Sequence, residues 1–372
     1  MNTKSSENKT KMKKFLSLIL AALMMIPLGA CSKSEPTGLQ AILERKVEKY
    51  NFGGVIRITR DGKTLCETAC GSSYTGLFQS NTMDSRFCIG SVSKQFAAAS
   101  VMLLKERGLL SIDDRLDKYF PEYKLGKKLT IKNLLTMRSG IAEFYGVTYI
   151  DDAFTEIPTN ELEGVITNKA KPSDNRKLLK DWLFSQPLCF EPDSEYAYSN
   201  SNFFLLAEIV SQVSGVEYED FVRQNIFEPL GMKNSGFIDE NWGESGISKP
   251  SVDTKTVYTG ITRGLGDIIS CADDMDLWLT SIWEHSLLSE ASVEEMSRDY
   301  CPEDDCEYGY GIIPDGNGGL YHFGYFSTYF TMDYTNPEKH LNLFAVTNDD
   351  KAMDGELSTL CQRLIEKALR EP

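Results

Sequence analysis

The alternation of apolar and polar positions predicts strands near both ends of the chain and helices between them. Residues 39–50 carry apolar side chains at helical spacing and run into Gly53-Gly54. Residues 55–59 and 64–68 then alternate on either side of Asp61-Gly62, a pair suited to the left-handed backbone of a two-residue hairpin turn. A densely apolar run after Ser91 predicts a helix to about Arg107, where Gly108 can end it. From there to roughly residue 300 the pattern is mostly helical, with segments at 131–137, 178–184, 203–213, 218–226 and 274–283. The stretch 145–174 is polar, acidic and weakly periodic, and reads as a loop region with at most a helical turn near 162–166. Strand character returns at 308–313, 320–323, 328–333 and 341–347, and a helix over 357–369 closes the chain.

Strands at both termini with helices between them imply an α+β fold: one antiparallel sheet assembled from the two chain ends and flanked by helices. A sheet lobe is expected over about 39–90 and 306–372, and a mostly helical second lobe over about 91–305. Such lobes enclose a cleft, where catalytic groups commonly sit. No internal repeat and no low-complexity tract is evident.

The first 30 residues stand apart from this pattern. Lys9, Lys11, Lys13 and Lys14 form a basic region ahead of a largely apolar stretch, residues 15–26, too short to span a bilayer. Leu28-Gly29-Ala30-Cys31 follows and resembles the lipobox of bacterial lipoproteins, which implies cleavage before Cys31 and acylation of its thiol. Residues 31–38 then read as a tether. The expected location is outside the cytoplasm, held to the cell envelope by a lipid.

Charge supports that setting. The whole chain carries −15; removing residues 1–30, with five lysines and one glutamate, leaves −19. No basic patch is visible for phosphate binding, which argues against a nucleic-acid partner. The chain has nine cysteines. Export permits disulfides, and Cys301 with Cys306 is the most plausible close pair; the others read mainly as buried apolar thiols. Neither Cys66/Cys70 nor Cys301/Cys306 has a second Cys or His pair at ligand spacing, so no metal or other cofactor is expected.

The candidate chemistry begins with Gly90-Ser91-Val92-Ser93-Lys94. Serine and lysine three residues apart on a helix share a face, so the Lys94 amine can meet the Ser91 hydroxyl. A hydroxyl becomes a useful nucleophile only when a base takes its proton, and a partly desolvated lysine is one such base. Free N–H groups at the helix start could also hold a developing oxyanion. The spacing alone is weak, because Ser6 and Lys9 reproduce it in the leader, and an ordinary helix cap at Ser91 would look the same.

Two further segments change the weighing. Tyr198 and Asn200 lie two apart in an expected loop before a helix. Beside a cationic lysine a phenol can ionise below its usual pKa and act as acid or base, while Asn200 can hold a substrate carbonyl. Near the C-terminus, Tyr321-His322-Phe323-Gly324-Tyr325 places a histidine and a glycine on a strand. His322 could donate to an anion or substrate carboxylate, Gly324 could mark a close approach, and the Tyr325 N–H could complete an oxyanion site. A second Tyr-x-Asn, Tyr334-Thr335-Asn336, precedes proline and reads as turn chemistry.

Taken in order, these segments resemble the serine β-lactamase and penicillin-binding-protein superfamily, in its class C β-lactamase, DD-peptidase and esterase branch. Ser91-Val-Ser-Lys94 matches its Ser-x-x-Lys element, Tyr198-Ser-Asn200 its Tyr-x-Asn element, and His322-Phe-Gly324 falls where the branch carries Lys-Thr-Gly or His-x-Gly. Leu134-Leu-Thr-Met-Arg-Ser-Gly140, Pro229-Leu-Gly-Met232 and Gly264-Leu-Gly-Asp-Ile-Ile-Ser270 extend the likeness to about residues 39–370. The resemblance implies a β-lactamase/transpeptidase-like fold and an acyl-enzyme on Ser91. Lys94 and Tyr198 would share the proton in an order the sequence leaves open. Ser91 and Tyr325 N–H groups would form the oxyanion hole, and Asn200 and His322 would orient the substrate. That substrate would be a small molecule or peptide, including peptidoglycan fragments or β-lactams.

His322 stands where efficient class C β-lactamases carry lysine, and a neutral imidazole holds a carboxylate less firmly than an ammonium. Bulky Phe323, Tyr325 and Phe326 are expected to narrow the cleft. Esterase or peptidase-like hydrolysis is therefore favoured over a resistance enzyme. The alternatives are a slowly turning-over or non-catalytic sensor of the same fold, a Ser-His-Asp hydrolase and a redox or metal protein. For the Ser-His-Asp reading only His285, His322 and His340 are available, and the chain has no Gly-x-Ser-x-Gly elbow.

Overall fold

The computed structural model describes residues 38–74, 79–144, 147–150, 153–156, 166, 170–238, 246–251, 260–302, 307–349 and 356–371. The leader, Cys31, all of the tether but Gly38, Cys306 with its expected partnership to Cys301, and residues 162–165 lie outside them.

The chain opens with α1 (Leu39–Tyr50), then the hairpin β1 (Gly54–Arg60) and β2 (Lys63–Cys70), then the short β3 (Phe87–Cys88). Helices α2 (Ser93–Glu106) and α3 (Ile131–Leu135) follow, then the paired strands β4 (Val147–Ile150) and β5 (Ala153–Glu156), then α4 (Pro172–Ser185) and α5 (Asn200–Ser214). Helix α6 (Tyr218–Val222) passes through a π turn (Arg223–Phe227) into α7 (Glu228–Leu230). After β6 (Gly236–Phe237) and β7 (Ile268–Ser270) come α8 (Ala272–Glu284) and α9 (Glu290–Ser297). The chain closes with β8 (Ile313–Pro314), β9 (Leu320–Phe326), β10 (Tyr329–Asn336), β11 (Leu341–Thr347) and α10 (Glu356–Arg370).

The main sheet joins the chain ends as the strand pattern predicted. Its order is β2-β1-β11-β10-β9-β8, and β1 pairs antiparallel with β11 from Gly54↔Thr347 to Arg60↔Leu341. Asp61 and Gly62 both have positive φ (49° and 69°), the requirement of the tight hairpin turn their sequence signalled. Strands β10 and β11 are buried along their whole length, because helices cover both faces of the sheet. One apolar core lies between the outer face and α1 with α10, built on Leu43, Ile56, Leu343 and Leu364. The larger core lies on the inner face around α2, whose residues from Ser93 to Leu104 are all buried. The run Ala97-Ala98-Ala99 lets neighbours close on that helix: a Cβ on Gly264 would sit 2.8 Å from Ala207 Cβ and 3.6 Å from Ala97 Cβ.

Two expected elements differ. Residues 147–150 and 153–156 form a small antiparallel ladder where a loop was expected, each strand pairing with its immediate neighbour in sequence. The strand expected over 308–313 reduces to Ile313–Pro314. Gly309 and Gly311 bring the backbone too close to its neighbours for regular pairing: Tyr310 N–H donates to the Met296 carbonyl at 2.8 Å, and a Cβ on Gly311 would approach the Lys94 carbonyl to 2.6 Å. Alternating apolar residues signalled a strand there, but close approach to α2 and α9 decides the conformation.

Behind α5, the buried Arg263 gathers three carboxylates: Glu208 at 2.8 Å, Glu217 at 2.5 Å and Glu219 at 2.9 Å. It ties the loop 262–267 to α5 and α6. Replacing Arg263 with Met leaves Glu208 paired with Lys180 and Arg176 and Glu217 with Arg176, but takes an ion pair from Glu219 and the tie from the loop, and should cost about 2 kcal/mol. Urea denaturation checks this; a midpoint equal to that of the parent protein would remove the loop anchor from the account.

Candidate active site

Ser91 sits on a 3₁₀ turn, Gly90–Val92, that feeds directly into α2. Gly90 has a φ of +53°, which L side chains adopt only with strain. A Cβ there would also lie 2.8 Å from the Tyr325 nitrogen. From the other side, a Cβ on Gly324 would overlap the Ile89 carbonyl oxygen and come within 3.1 Å of the Ser91 nitrogen. The two glycines thus let the edge of β9 abut the Ser91 turn, backbone on backbone. Strand β8 pairs with β9 at Leu320 and Tyr321, and among the described residues no strand covers that edge from His322 onward. The close approach sets the Ser91 and Tyr325 backbone nitrogens at the contact between the turn and β9.

Lys94 is fully buried one turn along. Its Nζ donates to Ser91 Oγ at 3.0 Å, to Asn200 Oδ1 at 2.8 Å and to the Leu265 carbonyl at 2.8 Å. The amine also lies over the Tyr198 ring, 4.9 Å from its centroid, and 5.7 Å from that of Phe203. Burial lowers its pKa to about 7, against the opposing pull of the Glu143 and Asp267 carboxylates.

Tyr198 precedes α5, and its ring is 37 % exposed at the mouth of the site. Burial of the hydroxyl end pushes the phenol well up, outweighing a hydrogen bond with Ser91 that pulls the other way. The resting phenol therefore keeps its proton, opposite to the direction expected from a neighbouring cation. The reason is the cost of burying a phenolate, to which the nearby Glu143 carboxylate adds. Asn200 is the first residue of α5 rather than part of a loop. Its carbonyl oxygen is committed to Lys94, leaving the Nδ2 amide for a bound ligand.

The irregular segment before α5 and the helix itself are braced by 134–140. Ala197 N–H donates to the Met137 carbonyl at 3.0 Å and Ser139 Oγ donates to Asn202 Oδ1 at 2.5 Å. Gly140, with φ +73°, packs directly on the Phe190 backbone.

His322 lies beside these groups but is buried, 3 % exposed. Its Nδ1 faces the Phe323 carbonyl at 2.6 Å, which fixes the proton on that nitrogen, and Nε2 accepts from the Tyr308 hydroxyl at 3.4 Å. Its backbone N–H donates to Asp333 Oδ1 at 2.8 Å. Burial, then the charge of Lys94, push the imidazole down to about 3, so it is neutral and its one ring N–H is already spent. Asp333 is itself buried, bonded to Gln95 Nε2 at 2.8 Å and raised by burial to about 7.

Phe323 and Tyr325 do not narrow the cleft. Successive strand residues point to opposite faces, and with His322 and Gly324 inward these two face outward. There Phe323 stacks on Phe330, with centroids 5.8 Å apart, and Tyr325 lies 4.7 Å from the same ring. Phe326 is buried in the inner core. The aromatic that does cover the site is Tyr308, 6.1 Å from the Tyr198 ring and 6.0 Å from His322. The expected strand at 308–313 hid it. The Leu265 carbonyl and Glu143 were likewise missed; a carbonyl has no residue signature, and Glu143 lies far in sequence from its partner Asn200.

The other histidines are elsewhere. His340 pairs with Asp61 at 2.9 Å, at the hairpin end of the sheet opposite Gly54 and Thr347. His285 ends α8. Among the described residues no group of three or more His, Cys, Asp or Glu is placed to hold a metal ion, and no helix is long and apolar enough to cross a membrane.

The sheet closed from both chain ends, and the Ser-Lys-Tyr cluster at the edge of β9, define a β-lactamase/transpeptidase-like protein. The chain belongs to the Beta-lactamase family, whose model matches residues 39–360. A Bacillus subtilis (strain 168) relative named for penicillin binding, PbpX, is 28 % identical over 276 residues, 72 % of this chain and 63 % of its own length. A D-aminopeptidase of Brucella anthropi is 28 % identical over 77 % of this chain, which spans 54 % of that protein. A teichoic acid D-alanine hydrolase of Staphylococcus aureus (strain MRSA252) is 23 % identical over 82 % of this chain and 75 % of its own. Among solved structures, a penicillin-binding protein from Bacillus halodurans superposes with a TM-score of 0.73 at 22 % identity, covering 87 % of this chain and 99 % of that one.

Because a Cβ on Gly324 has nowhere to go, Gly324→Ala must push β9 away from the Ser91 turn. Hydrolysis of a chromogenic ester should fall about 100-fold, the usual loss of an oxyanion donor. A rate within threefold of the parent would show that the close approach is not needed.

Proposed function

We propose that the chain is an exported, lipid-anchored serine hydrolase that cleaves esters or amides, D-amino-acid peptides included, through an acyl-enzyme on Ser91. The observation that carries this reading is the partner set of Lys94. Two of its three partners, Asn200 Oδ1 and the Leu265 carbonyl, are oxygens that can only accept. A neutral amine has two N–H groups for those two acceptors and one lone pair left. The remaining partner, Ser91 Oγ, is the one that carries a proton. Deprotonated Lys94 is thus aimed as a base at the nucleophile, and a pKa of about 7 supplies that form near neutrality.

The reaction follows from there. The Ser91 proton passes to Lys94 Nζ as Oγ bonds to the substrate carbonyl carbon, and the carbonyl electron pair moves to an oxyanion held by the Ser91 and Tyr325 N–H groups. Tyr198, protonated at rest and bonded to Ser91, hands a proton to the leaving group as the carbonyl re-forms, and takes one back from Lys94. Water repeats the sequence in reverse and releases the acid. The D-aminopeptidase and the teichoic acid D-alanine hydrolase among the relatives support a substrate that carries a D-amino acid. The neutral His322 weighs against efficient turnover of β-lactams, which need a partner for their carboxylate.

Ser91→Ala should lower ester hydrolysis by at least about 1,000-fold. Fluorophosphonate labelling with peptide mapping should find the adduct on Ser91; labelling elsewhere, or none, would overturn the assignment. A fluorescent penicillin that forms a lasting adduct without turnover would replace hydrolysis by a sensor role.

The pH profile tests the base. Only neutral Lys94 can accept the proton, so kcat/KM should rise through pH 7 and level off above it, standing near one tenth of its plateau at pH 6. A profile flat from pH 5.5 to 8 would exclude Lys94 from that role. The anchor is tested separately: Cys31→Ser should move the protein from the membrane to the soluble fraction, and unchanged fractionation would refute lipidation.

A further inference from the structure

We infer that Gln95 and Asp333 are positioning residues of the reaction: their buried amide–carboxylate pair sets where β9 stands against the helix that carries Ser91 and Lys94. This rests on the reading of Ser91 as the nucleophile, and adds to it two residues that touch neither the substrate nor the reacting atoms.

The pair joins the elements that meet at Ser91. Gln95 follows Lys94 on α2 and is wholly buried; its Nε2 donates to both Asp333 oxygens, at 3.0 and 2.8 Å. Asp333, also wholly buried, lies on β10 opposite His322, and its Oδ1 accepts the His322 backbone N–H at 2.8 Å. His322 stands two residues before Gly324, whose backbone abuts the Ser91 turn. The other end of the Gln95 amide is held as well. Its Oε1 accepts from Trp278 Nε1 at 2.6 Å, and the Trp278 indole stacks on Phe96, the next residue of α2, with centroids 4.4 Å apart. A line of hydrogen bonds thus runs from α8 through α2 to β10 and β9, and every side-chain polar atom of Gln95 and Asp333 has a partner in it.

The surroundings explain why such a pair is needed. The next residues of α2, Phe96 to Ala99, are apolar and buried, and dispersion contacts give little direction to a helix lying on a sheet. Hydrogen bonds weaken steeply once their angle or length is wrong, so one pair can fix a register that apolar packing leaves loose. On β10, Phe330, Met332 and Tyr334 point into the outer core, which turns Thr331, Asp333 and Thr335 inward. Thr335 bonds to Asn342 on β11, whereas Asp333 reaches α2. The carboxylate is costly there, because an amide and a backbone N–H are weaker company than a cation; burial raises its pKa to about 7. A pair of apolar side chains would fill the same space at lower cost, without tying β9 to α2.

The test exchanges donor and acceptor. Asp333→Asn keeps an oxygen for the His322 N–H but can set one amide against another, and Gln95→Glu sets two carboxylates together. In the double variant the match returns with the roles reversed: the new amide donates from β10, and the new carboxylate accepts from it and from Trp278 Nε1. Phosphonylation of Ser91 by an alkyl fluorophosphonate is followed at pH 8, where Lys94 and Asp333 are mainly deprotonated, and well below each melting midpoint. The kinetics are split into a saturating rate and a half-saturating probe concentration. Each single variant should lose at least about 10-fold in the saturating rate with the half-saturating concentration unchanged, and the double variant should return to within about threefold of the parent. Leu364→Ala, in the outer core, should lower the melting midpoint and leave the rate at the parent value. Single variants that label at the parent rate, or an equal loss of rate in Leu364→Ala, would overturn the inference. If a single variant does not fold, the double variant decides: a saturating rate below a tenth of the parent's would overturn the pair's role, and a rate near the parent's would support it. No labelling of Ser91 in the parent would bring down the hydrolase reading, and the role of the pair with it.

Discussion

The site depends on one desolvated amine. Lys94 lies on a helix with no solvent-facing turn in its first three, so its ammonium cannot be hydrated and must be held by protein oxygens or lose its proton. The fold supplies oxygens from three separate elements: the Ser91 turn, the first residue of α5 and the 262–267 loop. Each of those is fixed by something farther out. Gly90 and Gly324 lock the turn to β9, Glu143 and Met137 hold the start of α5, and Arg263 ties the loop to α5 and α6. Remove the buried amine and these elements have no common partner.

That arrangement carries a thermodynamic cost with a definite sign. A lysine whose pKa falls from 10.5 to about 7 on folding binds its proton more weakly folded than unfolded. Between those values the unfolded chain holds more protons, so stability rises with pH across the window, and the penalty is greatest below pH 7. The fold bears this at neutral pH, where other buried ions are paired. Asp333 is the companion case: its carboxylate accepts from two donors, Gln95 Nε2 across both oxygens and the His322 N–H, yet burial still raises it to about 7. Two buried groups of opposite type are thus brought towards neutrality on either side of His322, which itself stays uncharged.

Much of the fold was legible because it rests on local signals. The Asp61-Gly62 turn, the helix ending at Gly108 and the burial of β11 all follow from residue type and period. The Ser91-Lys94 pair was legible for the same reason, since three residues on a helix settle their own geometry. What could not be read are contacts made by backbone or by sequence-distant acids. The Leu265 carbonyl, the Glu143 bond to Asn200 and the Gly309–Gly311 approach to α2 leave no periodic trace. The direction of the Tyr198 shift was not legible because it is set by burial of the phenol and by the sequence-distant Glu143 carboxylate. The outward turn of Phe323 and Tyr325 was in principle available: once His322 and Gly324 face inward, strand alternation sends them outward.

The placement of His322 gives the family likeness its sharpest limit. An ammonium at this position on β9 would stand beside Lys94 and raise the cost of protonating it, while offering substrate carboxylates a partner. The imidazole does neither, because its proton is held by the Phe323 carbonyl and its lone pair faces Tyr308. Burial and the charge of Lys94 both disfavour a proton on the ring, so this position on β9 carries no charge. The difference is confined to one strand residue, and it leaves the Ser91 turn, the helix behind it and the glycines that bring turn and strand together as they are.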